Sequence, residues 1–313
     1  MIVSFSKSPF KRFFGIVFWN KWPLIFYTVC AVGAYILCVT FDFKQYVLPA
    51  VPVSVLGGAL AIFLGFRNSS AYDRWWEARK IWGALVNNSR SFGMEVLTYA
   101  KTQHRDDKQM QEWKDVTIRR HIAWVYALRS HLRKESFCEV LPSYLSKEDM
   151  ESLKGAKNIP TQLMLQQGKE IAVAFEKDWI EEFRFNALIG TLKKFYDDQG
   201  KSERIKNTIF PYYYNYFTRF FLQLFTLCLP FALVGLLGNY LMIPVSVLIS
   251  FAFTILNKTG EITETPFEGR AADTPLSAIC RTIEIDLLQM IGEENIPEAQ
   301  GAIEGKFGVK YQP

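Results

Sequence analysis

The sequence predicts an all-α integral membrane protein with four membrane-spanning helices per chain and a large helical part outside the bilayer. Charged residues and histidine are absent from three windows, 24–41, 46–66 and 220–256, which hold 18, 21 and 37 residues. About 20 helical residues cross a hydrocarbon core of about 30 Å, so runs of this length are candidate spans. Outside these windows apolar residues recur at helical spacing, and strand signals are weak.

The first two windows each predict one span. The apolar core of residues 24–41 is longer than that of a cleavable signal peptide, and no small-residue cleavage site follows it. We therefore expect a retained helix there. The second window, 46–66, carries Pro49 and Pro52 near its start, where a helix tolerates proline. Arg67 closes it.

The third window is too long for one span, since 37 helical residues would extend about 55 Å. Gly235, Gly238 and Asn239 offer a turn near its middle. The window therefore predicts a hairpin of helices near 212–237 and 241–256.

The distribution of basic residues predicts that both termini lie in the cytoplasm. The N-terminal segment and the residues after Arg67 are basic, whereas the opposite loops carry only Asp42 and Lys44. By the positive-inside rule the basic side is cytoplasmic. The chain then divides into four parts. Residues 1–66 hold the N-terminal segment with spans one and two, and residues 67–208 form a cytosolic helical region. Residues 209–256 hold spans three and four, and residues 257–313 form a C-terminal cytosolic segment.

The regions outside the spans predict further helices. Helical spacing of apolar and charged residues favours helices over 70–100, 112–134, 164–198 and 277–292. Gln199-Gly200 is expected to break the third of these, and Gly292 to end the fourth. The tail beyond Pro297 is expected to be loosely ordered.

Composition and motifs exclude several functions. The net charge of +5 is mild and no run of basic residues occurs, which argues against a nucleic-acid partner. The five cysteines form no C-x-x-C pair, which favours a reducing compartment. The spacing of His104, His121 and His131 completes no ligand set, so we expect no metal and no cofactor. No hydrolase, dinucleotide or P-loop motif occurs, and the spans lack ionisable residues, which favours passive permeation over a pump or an enzyme.

Two stripes run along the second span. Small residues recur every four positions at Gly57, Ala61 and Gly65, a spacing that lets helices pack closely in lipid. A neighbouring stripe, rotated by about 100°, holds Gly58, Ile62 and Phe66. One interpretation makes both stripes packing surfaces of one bundle. The other has Ile62 and Phe66 line a hydrophobic constriction in a ring of subunits, where narrow apolar pores gate by dewetting.

The run from Leu64 to Arg79, LGFRNSSAYDRWWEAR, closely resembles the bacterial branch of the bestrophin ion-channel family, and the match continues through Trp82-Gly83. Weaker blocks at 229–235 and 266–280 follow in the expected order. The resemblance implies a homopentamer with one central pore in a bacterial inner membrane. It places the pore neck at Gly58, Ile62 and Phe66, and the glycine departs from the large apolar residue usual at its position.

The resemblance also implies a lower cytosolic aperture. Counting back from Pro211 places this aperture at Phe183, with Ile180 as the alternative. Animal bestrophins bind calcium through an acidic cluster after the Pro-Phe pair. Here the carboxylates near Pro266-Phe267 are too few and too separated for such a site. We expect Glu261, Glu264 and Glu268 to be a solvated acidic stretch, helix caps or salt-bridge partners.

The expected function is passive conduction of monovalent ions through the neck. Animal bestrophins conduct chloride and related anions, whereas the bacterial branch includes cation-conducting members, so the sign of the permeant ion stays open. The alternative function is a non-conducting membrane scaffold that presents its helical cytosolic region to a partner.

Overall fold

The computed structural model describes residues 2–5, 8–101, 108–135, 139–208, 212–305 and 308–313. His104, Cys138 and Pro211 lie outside this part. The elements in chain order are β1 (Ile2–Phe5), α1 (Pro9–Trp19), α2 (Lys21–Tyr35), α3 (Ala50–Thr98), α4 (Lys108–Arg133), α5 (Lys147–Ser152), α6 (Ile159–Glu176), α7 (Glu182–Asn207), α8 (Tyr212–Leu237), α9 (Met242–Thr263), α10 (Leu276–Met290), β2 (Ile303–Glu304) and β3 (Val309–Tyr311).

The four predicted spans are confirmed. Within the described residues, four helical stretches are long and apolar enough to cross a membrane: α2 with the π-helical turn that follows it, the first part of α3, α8 and α9. They share one apolar core, built around Ala34, Leu60, Leu229 and Met242. The hairpin turn between α8 and α9 lies at Gly238, whose φ of 59° is a left-handed conformation that glycine adopts without steric cost.

Helix α3 is continuous from Ala50 to Thr98, a length of about 74 Å. The sequence pattern predicts a span over 46–66 and a separate helix over 70–100, but the helix continues through Arg67 without a break. The first half of α3 packs on α8 and α9, and the second half packs on α4, α7 and α10. One continuous helix therefore joins the membrane bundle to the extramembrane part, which comprises the second half of α3 with α4–α7 and α10.

The extramembrane part has its own apolar core. Helix α4 lies at its centre, and Trp82, Phe92, Trp124 and Phe195 are buried there. A buried carboxylate ties α10 to this core: Glu284 accepts hydrogen bonds from the hydroxyls of Tyr126 and Tyr144 and pairs with Arg281 at 2.9 Å, all outside the bilayer.

The break expected at Gln199-Gly200 is wrong, because α7 continues through both residues. The Gln199 side chain is buried, and its Nε2 donates to Thr161 Oγ1 and to Glu203 Oε1, each at 2.8 Å. The bond to Thr161 on α6 and the bond to Glu203 within α7 together outweigh the low helix propensity of Gly200. The helix is interrupted instead between α6 and α7, where Asp178 adopts a φ of 60°.

The expectation of a loosely ordered tail is also wrong. The chain ends form a small antiparallel sheet of order β1-β3-β2, with Phe5 opposite Val309 and Ile303 opposite Tyr311. The backbone N–H of Ala278 donates to the carbonyl of Pro313 at 3.1 Å. Both ends of the chain therefore meet beside α10.

Candidate functional site: an exposed apolar face on α3

Helix α3 exposes large apolar side chains on one face of its membrane half. Ile62 is 65% exposed and Phe66 is 67% exposed, and Val55 continues the same exposed face towards the helix start. Gly58 lies between them, and a Cβ placed there meets nothing within 4 Å. Within the chain, the three expected neck positions thus lie largely outside the packed core.

The opposite face of α3 packs inside the subunit through Val53, Gly57, Leu60 and Leu64. Gly57 permits close approach, since a Cβ there would lie 2.8 Å from Phe225 Cε2 on α8.

Ala61 and Gly65, the other two residues of the predicted packing stripe, do not extend this packed face within the chain. Both are exposed, and a Cβ on Gly65 meets nothing within 4 Å. A strict four-residue spacing rotates by about 40° per step around a helix, so the stripe leaves the buried face after Gly57.

A buried polar junction follows Phe66. The Arg67 side chain is fully buried, with Nη1 donating to Asn257 Oδ1 at 2.5 Å and Nη2 lying 3.2 Å from Glu264 Oε2. The next residue, Asn68, donates to the carbonyl of Leu256 at 3.1 Å. The end of α9 thereby fixes α3 one residue beyond the exposed stripe.

The other two glutamates expected here also form ion pairs. Glu261 lies 2.9 Å from Arg219, and Glu268 lies 2.7 Å from Lys206. The prediction that this acidic stretch supplies salt-bridge partners is confirmed. The nearby Asp273 carboxylate accepts the Arg270 backbone N–H at 2.9 Å, so it closes its own loop.

Phe183 lies in the first turn of α7, beside the extramembrane end of α3, and is 88% exposed. Its position is set by contacts to the end of α3: the Lys101 N–H donates to the Trp179 carbonyl at 2.9 Å, and Arg184 Nη1 donates to the Tyr99 carbonyl at 3.0 Å. The alternative aperture residue, Ile180, has different surroundings from Phe183. It is 1% exposed, packs in the extramembrane core and forms a bridge with Ala100.

The histidines that the sequence singles out have other surroundings. His121 is buried against Phe92, Trp124 and Phe195. Its Nε2 lies 2.9 Å from Ser89 Oγ, and the Ser89 hydroxyl donates to the Leu85 carbonyl at 2.7 Å. The imidazole Nε2–H is therefore the donor. In the described ranges no group of three or more potential metal ligands occurs.

The four helices able to span a membrane, the longest of which continues into a helical part outside it, define an integral membrane protein. This longest helix exposes an apolar face of the kind that lines a channel. The family model for bacterial and fungal bestrophin proteins matches residues 17–289. The chain belongs to the bestrophin family.

Curated relatives and solved structures agree with this assignment. The chain is 39% identical over 246 residues to the voltage-dependent anion channel-forming protein YneE of Escherichia coli K12, covering 79% of this chain and 78% of that protein. A protein of the same description from Ralstonia nicotianae is 31% identical, covering 82% and 81%. A crystal structure of a bacterial bestrophin homolog from Klebsiella pneumoniae superposes with a TM-score of 0.79 at 30% identity, covering 88% of this chain and 99% of that chain.

Proposed function

We propose that this chain assembles as a homopentamer around one central pore and conducts monovalent ions passively across a bacterial inner membrane. The observation that carries the proposal is the exposed face of α3, where Ile62 and Phe66 remain about two-thirds exposed although the opposite face of the helix is packed. Four spans are too few to enclose a wide pathway within one chain, so a ring of subunits is needed.

The chemistry of this face suits a hydrophobic neck. Ile62 and Phe66 offer an ion no hydrogen bond, so a narrow ring of them would gate by expelling water. Gly58 would leave the outer end of the neck wide, because glycine carries no side chain to narrow it. The three apolar windows of the spans hold no Asp, Glu, Lys, Arg or His, and passive permeation needs none of these residues there.

Phe183 would form the second constriction. Phe66 and the end of α3 at Thr98 are 32 residues apart, which is about 48 Å along the helix. Phe183 is held beside that end and is almost fully exposed. A vestibule lined by the second half of α3 would then separate the neck from the aperture.

The orientation of the chain is also part of the proposal. An even number of spans places the two termini on the same side of the membrane. Both termini join one sheet, which agrees with this placement. The loops on the other side are short, and their Lys44 pairs with Asp42 at 3.0 Å. The positive-inside rule supports a cytoplasmic position for the termini and the extramembrane part.

The permeant ion is monovalent. The curated relatives are named as anion channels. An apolar neck does not by itself set the sign of the permeant charge, which depends on charged groups near its mouths.

The test is recording from purified protein in planar bilayers under a KCl gradient, with the oligomer mass measured by light scattering. We expect current from a pentamer, and a larger single-channel conductance from the double variant Ile62→Ala/Phe66→Ala. Leu248→Ala is the matched control, since Leu248 is an exposed apolar residue of α9. Silence from both the wild type and the neck variant, in protein shown to be folded and oligomeric, would contradict the channel and favour a scaffold.

A further inference from the structure

The continuity of α3 places two charged residues in line with the neck. At about 100° per residue, and with Ile62 taken as zero, Phe66 lies at an azimuth of about 40° and Asp73 at about 20°. Lys80 returns to the azimuth of Ile62. Because α3 has no break between Ala50 and Thr98, the side chains that face the proposed pore axis in the membrane share one helix face with Asp73 and Lys80.

These two charges are exposed and have no ion-pair or hydrogen-bond partner within the described part of the chain. Their charged neighbours are engaged. Arg74 donates to the carbonyls of Ile205 and Thr208, and Glu77 accepts from Arg204 at 2.6 Å.

Arg67, the charge next to Phe66, is buried in the junction with α9. Asp73 is therefore the first unpaired charge on the neck face as this face leaves the membrane.

We propose that Asp73 is a selectivity-determining residue that forms a ring of carboxylates just below the neck and raises the ratio of cations to anions entering it. This inference rests on the proposed pentameric channel. Asp73 is seven residues from Phe66, or about 10 Å along the helix, whereas Lys80 is about 21 Å away. The two rings carry opposite charge, so distance decides which dominates at the neck.

Screening favours Asp73. The Debye length is about 8 Å at physiological ionic strength, so the carboxylate ring acts across about one Debye length and the ammonium ring across more than two. Five screened charges at about 10 Å in a water-like dielectric change the cation-to-anion ratio at the mouth by roughly threefold to tenfold. The same sum for Lys80 gives a change of less than about 1.5-fold.

The experiment measures reversal potentials of the purified full-length channel in planar bilayers under a tenfold KCl gradient. We expect Asp73→Asn to move the reversal potential towards the chloride equilibrium value, lowering the potassium-to-chloride permeability ratio by threefold to tenfold. Asp73→Glu should keep the wild-type value, and Lys80→Gln should change it little. Glu148→Gln is the matched control, because Glu148 is an exposed carboxylate on α5.

An unchanged reversal potential in conducting Asp73→Asn channels would overturn the proposal, as would an equal shift from Glu148→Gln. If Asp73→Asn does not assemble, Asp73→Ser takes its place.

The wild type supplies a further criterion that needs no variant. At about 1 M salt the Debye length falls to about 3 Å, so the contribution of Asp73 to the permeability ratio should disappear. A wild-type ratio that is independent of ionic strength contradicts the proposal. Absence of any wild-type current is a different result, because it contradicts the channel itself.

Discussion

Arg67 Nη2 lies 3.2 Å from Glu264 Oε2, and this pair joins α3 to the end of α9 one residue beyond Phe66. Glu264 Oε1 also accepts from Asn215 on α8 at 3.4 Å, so three spanning helices meet at this carboxylate. A buried guanidinium is tolerated only when it is paired and hydrogen-bonded. The rotation of α3 about its axis therefore depends on a polar contact one residue beyond its exposed apolar face.

Replacing Glu264 by Gln should destabilise the folded subunit by about 3–5 kcal/mol, because it leaves the buried Arg67 charge without its counter-ion. Asp42→Asn is the matched control. It breaks the exposed Lys44–Asp42 pair, for which we expect a loss of less than about 1 kcal/mol. Thermal unfolding of the two variants in detergent measures the difference. Equal melting temperatures would show that the junction contributes no more than a surface pair.

Gly57→Ala should destabilise the contact between α3 and α8. The added Cβ would lie 2.8 Å from Phe225 Cε2, and overpacking of this kind costs about 1–3 kcal/mol. Gly33→Ala on α2 is the control, because a Cβ there meets nothing within 4 Å and alanine gains up to about 1 kcal/mol in a helix. The two variants should shift the melting temperature in opposite directions. A shift of the same sign would contradict the close approach at Gly57.

Gly58→Ile should narrow the outer end of the proposed neck. An added Cβ at this position meets nothing within 4 Å in the chain, and in the proposed assembly the new side chain would project towards the pore. We expect a lower single-channel conductance or open probability with a melting temperature no lower than that of the wild type. An unchanged conductance in folded channels would place the outer end of the neck elsewhere.

Phe183→Ala should alter conductance without loss of stability, since the side chain is almost fully exposed in the subunit. Leu165→Ala on α6 removes a half-exposed apolar side chain and serves as the control. Single-channel recording distinguishes the two. If both variants conduct like the wild type, the lower aperture does not lie at Phe183.

His121 should make the extramembrane part sensitive to acid. Burial lowers the His121 pKa from 6.5 to about 3. Protonation would create an Nδ1–H group, and Nδ1 has no hydrogen-bond partner that could accept from it. The unfolded chain binds a proton near pH 6.5, whereas the folded chain does so only near pH 3, so acid favours unfolding.

The free energy of unfolding should then fall by about 1.4 kcal/mol per pH unit below pH 6.5. His121→Gln, which removes the titrating group, should lower stability but flatten this slope. Denaturant unfolding monitored by tryptophan fluorescence between pH 4 and pH 7 measures the slope. Equal slopes in the wild type and the variant would exclude His121 as its cause.

Features that depend on local pattern were predictable from the sequence. Uncharged length identifies the four spans, and Gly238 marks the turn between α8 and α9. The family resemblance places Phe66 and Phe183, and both are exposed. Features that depend on distant contacts were not predictable. Helix α7 passes through Gly200 because Gln199 is held by α6, and the real interruption at Asp178 carries neither glycine nor proline.

Helix geometry explains why the predicted packing stripe is packed only at Gly57 within the chain. A four-residue spacing at Gly57, Ala61 and Gly65 reads as one surface in a linear sequence, but a helix of 3.6 residues per turn rotates it away from its partner. The pairing of Arg67 with Glu264 spans 197 positions and has no local signal in either segment.

The pairing of β1 with β3 has a consequence for biogenesis. The register Phe5 opposite Val309 cannot form until almost the whole chain has been synthesised, although the first strand leaves the ribosome first. Pairing of β1 with β3 is thus a late folding event. A tag fused beside either strand would lie close to the other strand and could disturb the pairing of both.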